Sequence, residues 1–250
     1  MATVYLVGAG PGAPELLTVR AARLLAQADV VFHDALVNPD ILSLAPQAKL
    51  IAVGKRCGRY STAQQFINRQ LVRAAQQYRV VVRLKGGDPM MFGRAQEELD
   101  ELHKHGIATE VVPGISAAFA ASADLQQSLT QRGRSRSVVF VTPRIGPGEE
   151  SSDWARAALA ADTVVLYMGG HQLASIGQTM LAGGMAAGRP AVVVAGASRR
   201  ERQIVATTVS QLAQGAVVTD FGDAPVLLLI GEVYSELLAQ AESQRHVLAA

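Results

Sequence analysis

Short apolar runs alternate along this chain with longer stretches in which apolar positions recur every three to four residues. That alternation predicts strands and amphipathic helices in turn, the pattern of an α/β protein. Residues 4–7 form a continuous apolar run and lead into the turn Gly8-Ala9-Gly10-Pro11-Gly12. Thr18 is placed to cap a helix running to residue 28, with Val19, Ala22 and Leu25 on its inward face. A strand over 30–32 ends at His33-Asp34, a short helix follows Pro39, and a strand over 49–53 runs into Gly54-Lys55-Arg56. Ser61 with Gln64 three residues later matches a capping box and opens a helix to residue 77. The strand at 80–84 feeds Gly86-Gly87-Asp88-Pro89, residues 94–105 read as a helix stopped by Gly106, and 109–112 as a strand ending at Pro113-Gly114.

The second half alternates with a different rhythm. Strands over 137–141 and 163–167 flank a helix centred on Trp154, and a helix over 172–181 precedes a strand at 191–194. Strands at 204–209 and 226–230 bracket a region with little helical pattern, which predicts that part of this sheet is antiparallel. A last amphipathic helix covers 233–241. The expected organisation is two α/β domains, 1–113 and 117–243, with Pro113-Gly114 as the linker and a cleft between the domains.

Composition changes this picture mainly by exclusion. Of 250 residues, 49% are hydrophobic and 18% charged, which is incompatible with disorder. The longest apolar runs fall well short of the ~20 residues that span a bilayer. The first ten residues lack a basic segment ahead of their apolar stretch and read as a strand, so a cytoplasmic protein with no membrane partner is expected. The single cysteine, Cys57, excludes an internal disulfide framework or a multi-cysteine metal site, and the five scattered histidines suggest no metal centre. Aromatic residues make up 5% of the chain, too few for an evident base-stacking surface, and no nucleic-acid partner is expected.

The net charge of +2 averages over basic clusters beside expected turns: Lys55 with Arg56, Arg83 with Lys85, and Arg132, Arg134 and Arg136. Each alone reads as a solvated surface residue, but gathered on one face they would suit a small polyanionic ligand. Gly8, Gly10 and Ala13 satisfy a loose dinucleotide-binding fingerprint, with Asp34 where the ribose-binding acid would stand. Pro11 removes one needed N–H, however, and residues 14–17 separate the turn from the helix cap. The turn Lys85-Gly86-Gly87-Asp88-Pro89 follows a strand, where open α/β sheets bind ligands, and its glycines permit close backbone approach. A plain β-turn is the competing reading. Met168 fits a core position equally well, and Asp34 a solvated carboxylate at a strand end.

These segments occur in a fixed order: Gly8–Gly12, Asp34-Ala35-Leu36-Val37, Val53-Gly54-Lys55-Arg56, the run from Arg83 through Pro89, Phe92-Gly93-Arg94 with Glu97-Glu98, residues 111–115, and Tyr167-Met168-Gly169. The series resembles the tetrapyrrole methylases over nearly the whole chain, and most closely those members that methylate uroporphyrinogen III. The resemblance implies a two-domain tetrapyrrole-methylase-like α/β fold with the active site in the interdomain cleft, working as a homodimer. It implies S-adenosylmethionine as cofactor, lined by Pro11, Gly86, Gly87, Asp88, Met91, Ser116, Ala117, Met168 and Ala197. It implies C-methylation of uroporphyrinogen III at C2 and C7, with Asp34 as proton acceptor, Lys55 as proton donor and Arg94 with Glu97 at the substrate. Arg56, Arg132 and Met168, again with Arg94, would hold that polycarboxylate. The chain departs from the family pattern at Ala13, at Ala95 and Gln96 in place of two glycines, at Gln131, and at Pro143-Arg144. The two replaced glycines are expected to remove space beside the substrate. A methylase of a later corrinoid, a cofactor-binding paralogue and a nicotinamide-dependent oxidoreductase are the alternative readings.

Overall fold

The computed structural model describes residues 2–53, 61–146 and 152–249, the side chains at 61–63 and 245–249 excepted. The chain divides into two compact units, residues 1–117 and 118–250.

In the first unit the elements alternate strictly: β1 (Thr3–Gly8), α1 (Val19–Gln27), β2 (Val30–His33), α2 (Pro39–Leu42), β3 (Lys49–Ala52), α3 (Ser61–Ala75), β4 (Val80–Lys85), α4 (Ala95–Lys104) and β5 (Ala108–Val112). The five strands form a sheet in the order β3-β2-β4-β1-β5, and every pair is parallel. A parallel sheet is covered by helices on both faces, so its strands read as unbroken apolar runs. Alternate residues sort onto the two faces. Val4, Leu6, Val30, Phe32 and Val81 pack with α3 and α4 residues such as Leu71 and Leu102. Val7, Val31, Val82 and Leu84 pack on the other face with Ala21, Leu25 and Ile41.

The second unit holds α5 (Ala117–Asp124), β6 (Val138–Val141), α6 (Trp154–Leu159), β7 (Thr163–Tyr167), α7 (Leu173–Ala182), β8 (Pro190–Ala195), β9 (Gln203–Thr208), α8 (Val209–Ala213), β10 (Val226–Gly231) and α9 (Ser235–Ala249). Its sheet runs β6-β7-β10-β8-β9. Only β6 and β7 are parallel, because β10 lies antiparallel to both β7 and β8, and β9 antiparallel to β8. The antiparallel region expected near the C-terminus is therefore present.

One device recurs in both units. Asp29, just before β2, accepts the consecutive N–H groups of Arg79 and Val80 at the start of β4, at 2.9 and 2.8 Å. Asp162, just before β7, does the same for Arg136 and Ser137 at the start of β6, at 2.8 and 3.0 Å, and adds the Ser137 hydroxyl. Each aspartate satisfies donors that the ladder leaves open where a parallel pair begins. The N–H bond from Arg136, then those from Ser137, hold the Asp162 carboxyl below its ordinary range.

Several local expectations change. Thr18 caps α1 by accepting from the Ala21 N–H, but Val19 is 66% exposed and Ala21 takes the buried place beside Leu25. Trp154 opens α6 instead of centring it. Gln64 Nε2 donates to Asn68 and to Glu98, and the expected cap at Ser61 has its side chain outside the described ones. No helix among the described residues is long and apolar enough to cross a membrane.

Candidate active site

Three glycine loops meet at the C-terminal ends of β1, β4 and β5. Gly10 and Gly87 form an isolated antiparallel bridge: the Gly87 N–H donates to the Gly10 carbonyl at 2.7 Å, and the Gly10 N–H to the Gly87 carbonyl at 3.2 Å. Gly8 and Gly114 pack so closely that a Cβ on Gly114 would lie 2.3 Å from the Gly87 carbonyl oxygen and 2.8 Å from the Gly8 Cα. Asp88 ties the arrangement together, one carboxylate oxygen accepting the Met90 N–H at 2.8 Å and the other the Gly114 N–H at 2.9 Å. Asn38 adds a bond from its side-chain amide to the Gly12 carbonyl, at 2.8 Å. A 3-10 turn over Pro14–Leu16 stands between the first loop and α1, so that loop does not open the helix as a dinucleotide site requires.

This floor offers bare backbone to a ligand. A Cβ at Gly87, whose φ is +69°, would meet nothing within 4 Å, and one at Gly86 only the Leu36 side chain at 3.4 Å. Open space over backbone that carries no side chain is what a cofactor rich in hydrogen-bonding groups needs, and the residues present fit S-adenosylmethionine in that respect. Of the other expected cofactor residues in this unit, Pro11 lies in the first loop, Met91 beyond Asp88, and Ser116, buried, just ahead of Ala117 at the start of α5.

Beside the floor lies a buried ionic cluster. Arg83 and Lys85 alternate with Leu84 on β4 and so share the sheet face toward α3 and α4. Arg83, 2% exposed, donates from one nitrogen to Asp34 Oδ1 at 2.6 Å and from another to Glu98 Oε1 at 3.0 Å. A third nitrogen reaches the Leu84 carbonyl at 3.2 Å. Lys85 Nζ donates to both Glu98 oxygens, at 3.1 and 3.0 Å, and Gln64 Nε2 donates to Oε1 at 3.1 Å. Glu98 is fully buried. Burial, the strongest influence on Arg83, pulls its pKa down, but the charges and bonds of Asp34 and Glu98 outweigh it and raise the group above its ordinary value. Burial and then the like charge of Arg83 hold Lys85 below its ordinary value, against the attraction of Glu98. Arg83 and Lys85 are thus committed internally, which corrects the expectation that they face a polyanion. Asp34 is the member that opens outward, its side chain 27% exposed at the end of β2.

Arg94 and Glu97 meet on the first turn of α4. The guanidinium donates twice to the carboxylate, at 2.6 Å each, and these bonds hold Glu97 below its ordinary carboxylate range. Arg94 adopts φ +54° as the residue before the helix. Gly93 makes that approach possible, since a Cβ there would lie 2.5 Å from the Pro89 carbonyl and 3.1 Å from Lys85 Cε. The two neighbouring departures from the family pattern are placed as follows. Ala95 is buried in the core against α3 and the sheet, and Gln96 bonds Asp100 along the helix at 2.7 Å. Lys55, Arg56 and Cys57 lie outside the described residues.

In the second unit, Met168 follows β7 with a left-handed backbone (φ +58°) and is 41% exposed. Arg144, from the departing Thr142-Pro143-Arg144 segment, places its guanidinium 3.8 Å from the Met168 sulfur. Ala197 is buried after β8, between Gly196 and Ser198, both at φ +65°. Asp124, at the end of α5, secures that bend by accepting the Ser198 N–H at 2.6 Å and pairing with Arg202 at 3.6 Å. Arg132 is exposed on a tight turn closed by two backbone bonds between Gln131 and Ser135, while Arg134 pairs with Glu236. Beyond the expected residues, the structure thus brings out Arg83, Lys85, Glu98 and Gln64 in the first unit and Asp124 in the second. No spacing rule marks Glu98 or Asp124; Arg83 and Lys85 were visible only as basic residues beside a turn.

Comparison with known proteins follows these features closely. The sequence model of the tetrapyrrole (corrin/porphyrin) methylases matches residues 3–213. A uroporphyrinogen-III C-methyltransferase of Pseudomonas aeruginosa is 45% identical over 237 residues, 95% of this chain and 96% of that protein. A siroheme synthase of Stutzerimonas stutzeri is 45% identical over 231 residues, and there the chain spans only 50% of the relative's length. Among solved structures, uroporphyrin-III C-methyltransferase from Thermus thermophilus, complexed with S-adenosylhomocysteine, superimposes with a TM-score of 0.83 at 38% identity, covering 94% of this chain and 99% of that one.

Proposed function

Because this chain belongs to the tetrapyrrole methylase family, we propose that it methylates carbon atoms of uroporphyrinogen III at the expense of S-adenosylmethionine, at C2 and then at C7, giving precorrin-1 and then precorrin-2. The observation that carries this reading is the 45% identity across 96% of a protein named for that reaction. S-adenosylmethionine supplies an electrophilic methyl group on sulfur.

What the chain contributes is alignment and charge. The backbone at Gly86 and Gly87 faces open space and is available to the cofactor, together with Pro11, Asp88, Met91, Ser116, Ala117, Met168 and Ala197. Holding a carbon nucleophile in line with a bound methyl group contributes roughly 7–11 kcal/mol of the barrier reduction without a covalent step. Asp34 accepts the proton that the macrocycle must lose once a ring carbon has taken the methyl group, and its exposed edge suits that role. Lys55 serves as proton donor. Arg94 with Glu97 and the arginines 56 and 132 orient the substrate carboxylates, and Met168 lies against the macrocycle. The same reading makes the chain a cytoplasmic homodimer, for which light scattering should return twice the chain mass.

Incubation with S-adenosylmethionine and uroporphyrinogen III tests the reaction by mass spectrometry. Two added methyl groups are expected. An unmodified macrocycle, with S-adenosylhomocysteine still stabilising the protein in a thermal shift, would leave a binding protein without this activity.

A further inference from the structure

The chemistry assigned to Asp34 depends on how its carboxylate is held, and the holding groups are buried side chains to which that reading gives no part. We propose that Lys85 and Glu98 are positioning residues that set the proton affinity of Asp34 through Arg83. This rests on Asp34 being the proton acceptor of the proposed reaction. Arg83 sits between two carboxylates, donating to Asp34 Oδ1 at 2.6 Å and to Glu98 Oε1 at 3.0 Å. Glu98 in turn takes both bonds of Lys85 and one from Gln64. Counting formal charges, Arg83 and Lys85 balance Asp34 and Glu98, so the buried set is neutral while Asp34 is ionised. When Asp34 takes a proton, the set acquires one positive charge where water cannot screen it. That cost depends on the charges of Lys85 and Glu98, which Arg83 joins to Asp34.

The groups that face Asp34 can be named by element. Arg83 and Lys85 come from β4, and Glu98 comes from α4. His33, its neighbour on β2, points Nδ1 at the Asp34 carbonyl at 3.3 Å. Lys55 and Arg56, after β3, lie outside the described residues. The cluster also links the two groups assigned to chemistry in this unit. Glu98 is adjacent to Glu97 on α4, and the Lys85 side chain passes under Gly93, so the same buried contacts set Asp34 and the Arg94–Glu97 pair in register.

The test uses two buried charges of opposite sign. Lys85→Met removes a cation and leaves the set one charge more negative. It should raise the pH at which Asp34 titrates by about one unit. The shift is read from the Asp34 carboxyl carbon by nuclear magnetic resonance and, independently, from the acid limb of kcat. Adding Glu98→Gln in the same chain restores neutrality, so the double variant should return both readings toward the wild-type position, even with a lowered Tm. Should Lys85→Met fail to fold, Glu98→Gln read against the same double variant gives the test with the opposite sign. A merely structural role would leave the titration in place, or make the double variant the more displaced of the two. Either result overturns the proposal. If the wild-type protein transfers no methyl group yet the carboxyl carbon shifts as described, the reaction assignment fails and the electrostatic coupling stands.

Discussion

The two units share a device and differ in what they bury. Each starts a parallel strand pair with an aspartate that collects two consecutive N–H groups, Asp29 in one and Asp162 in the other. Beyond that the interiors diverge. Among the described residues, the first unit buries Arg83, Lys85 and Glu98, whereas the buried polar groups of the second are hydroxyls, those of Ser135, Thr163, Thr207 and Tyr234. Ser135 and Thr163 satisfy each other at 2.8 Å, and Ser135 can also donate to the Leu129 carbonyl. A hydroxyl pair of this kind costs little to bury. An ion cluster costs several kcal/mol per ion unless every charge is compensated. The interior of the first unit is thus built on compensated ions, and that of the second on hydroxyls.

The sharpest way to break this contrast is to remove one partner from each interior. Glu98→Ala leaves two buried cations with only Asp34, and should cost about 3–5 kcal/mol in urea unfolding. Thr163→Val removes one hydroxyl and leaves Ser135 its carbonyl acceptor, for about 1 kcal/mol. Equal losses would mean that the ion cluster is ordinary packing. Next in size are two glycines whose missing Cβ is equally needed. Gly114→Ala presses on the Gly87 carbonyl, and Gly177→Ala presses a Cβ to 2.5 Å from the Ala213 nitrogen on α8. Each should cost about 1–3 kcal/mol by overpacking. Only Gly114→Ala should also weaken S-adenosylhomocysteine binding, measured by calorimetry.

The smallest effect is electrostatic and lies at the surface. Asp162 and Glu97 are both held below their ordinary values, 3.8 and 4.5, so each contributes stability that is present above that value and disappears as pH falls through the lower folded one. Asp162→Asn should therefore lower Tm at neutral pH, with the difference from wild type shrinking in acid below pH 3.8. A difference that stays constant through that range would remove charge from the account of the second strand clamp.

Much of the frame was legible in the residues themselves. The strand at Thr163–Tyr167, the Thr18 cap and the antiparallel C-terminal region follow from apolar runs and side-chain chemistry. The Ala-rich α5 was not predicted, because Ala118, Ala120 and Ala121 are all buried and give the helix no polar face to mark its period. Helix α8 spans only Val209–Ala213, but Thr208 and Gln211 form a complete capping box, a signal present in the sequence. At the site, the glycine turns were visible as ligand loops. Their mutual contact was not, since it joins residues 8, 87 and 114. Arg83 and Lys85 looked like surface cations beside a turn. Nothing in their spacing tells that Glu98 points inward to meet them while its neighbour Glu97 points out.

The paired backbone bonds between Gly10 and Gly87 have a consequence for motion. Loops at the ligand end of a sheet usually open easily and must be ordered when something binds. Here two such loops are sewn to each other by reciprocal backbone hydrogen bonds of 2.7 and 3.2 Å, and Asp88 fastens a third. Their amide protons should exchange with solvent as slowly as those of the strands they extend. A cofactor held there, as proposed, would meet a surface already set, with little of its binding energy consumed in arranging it.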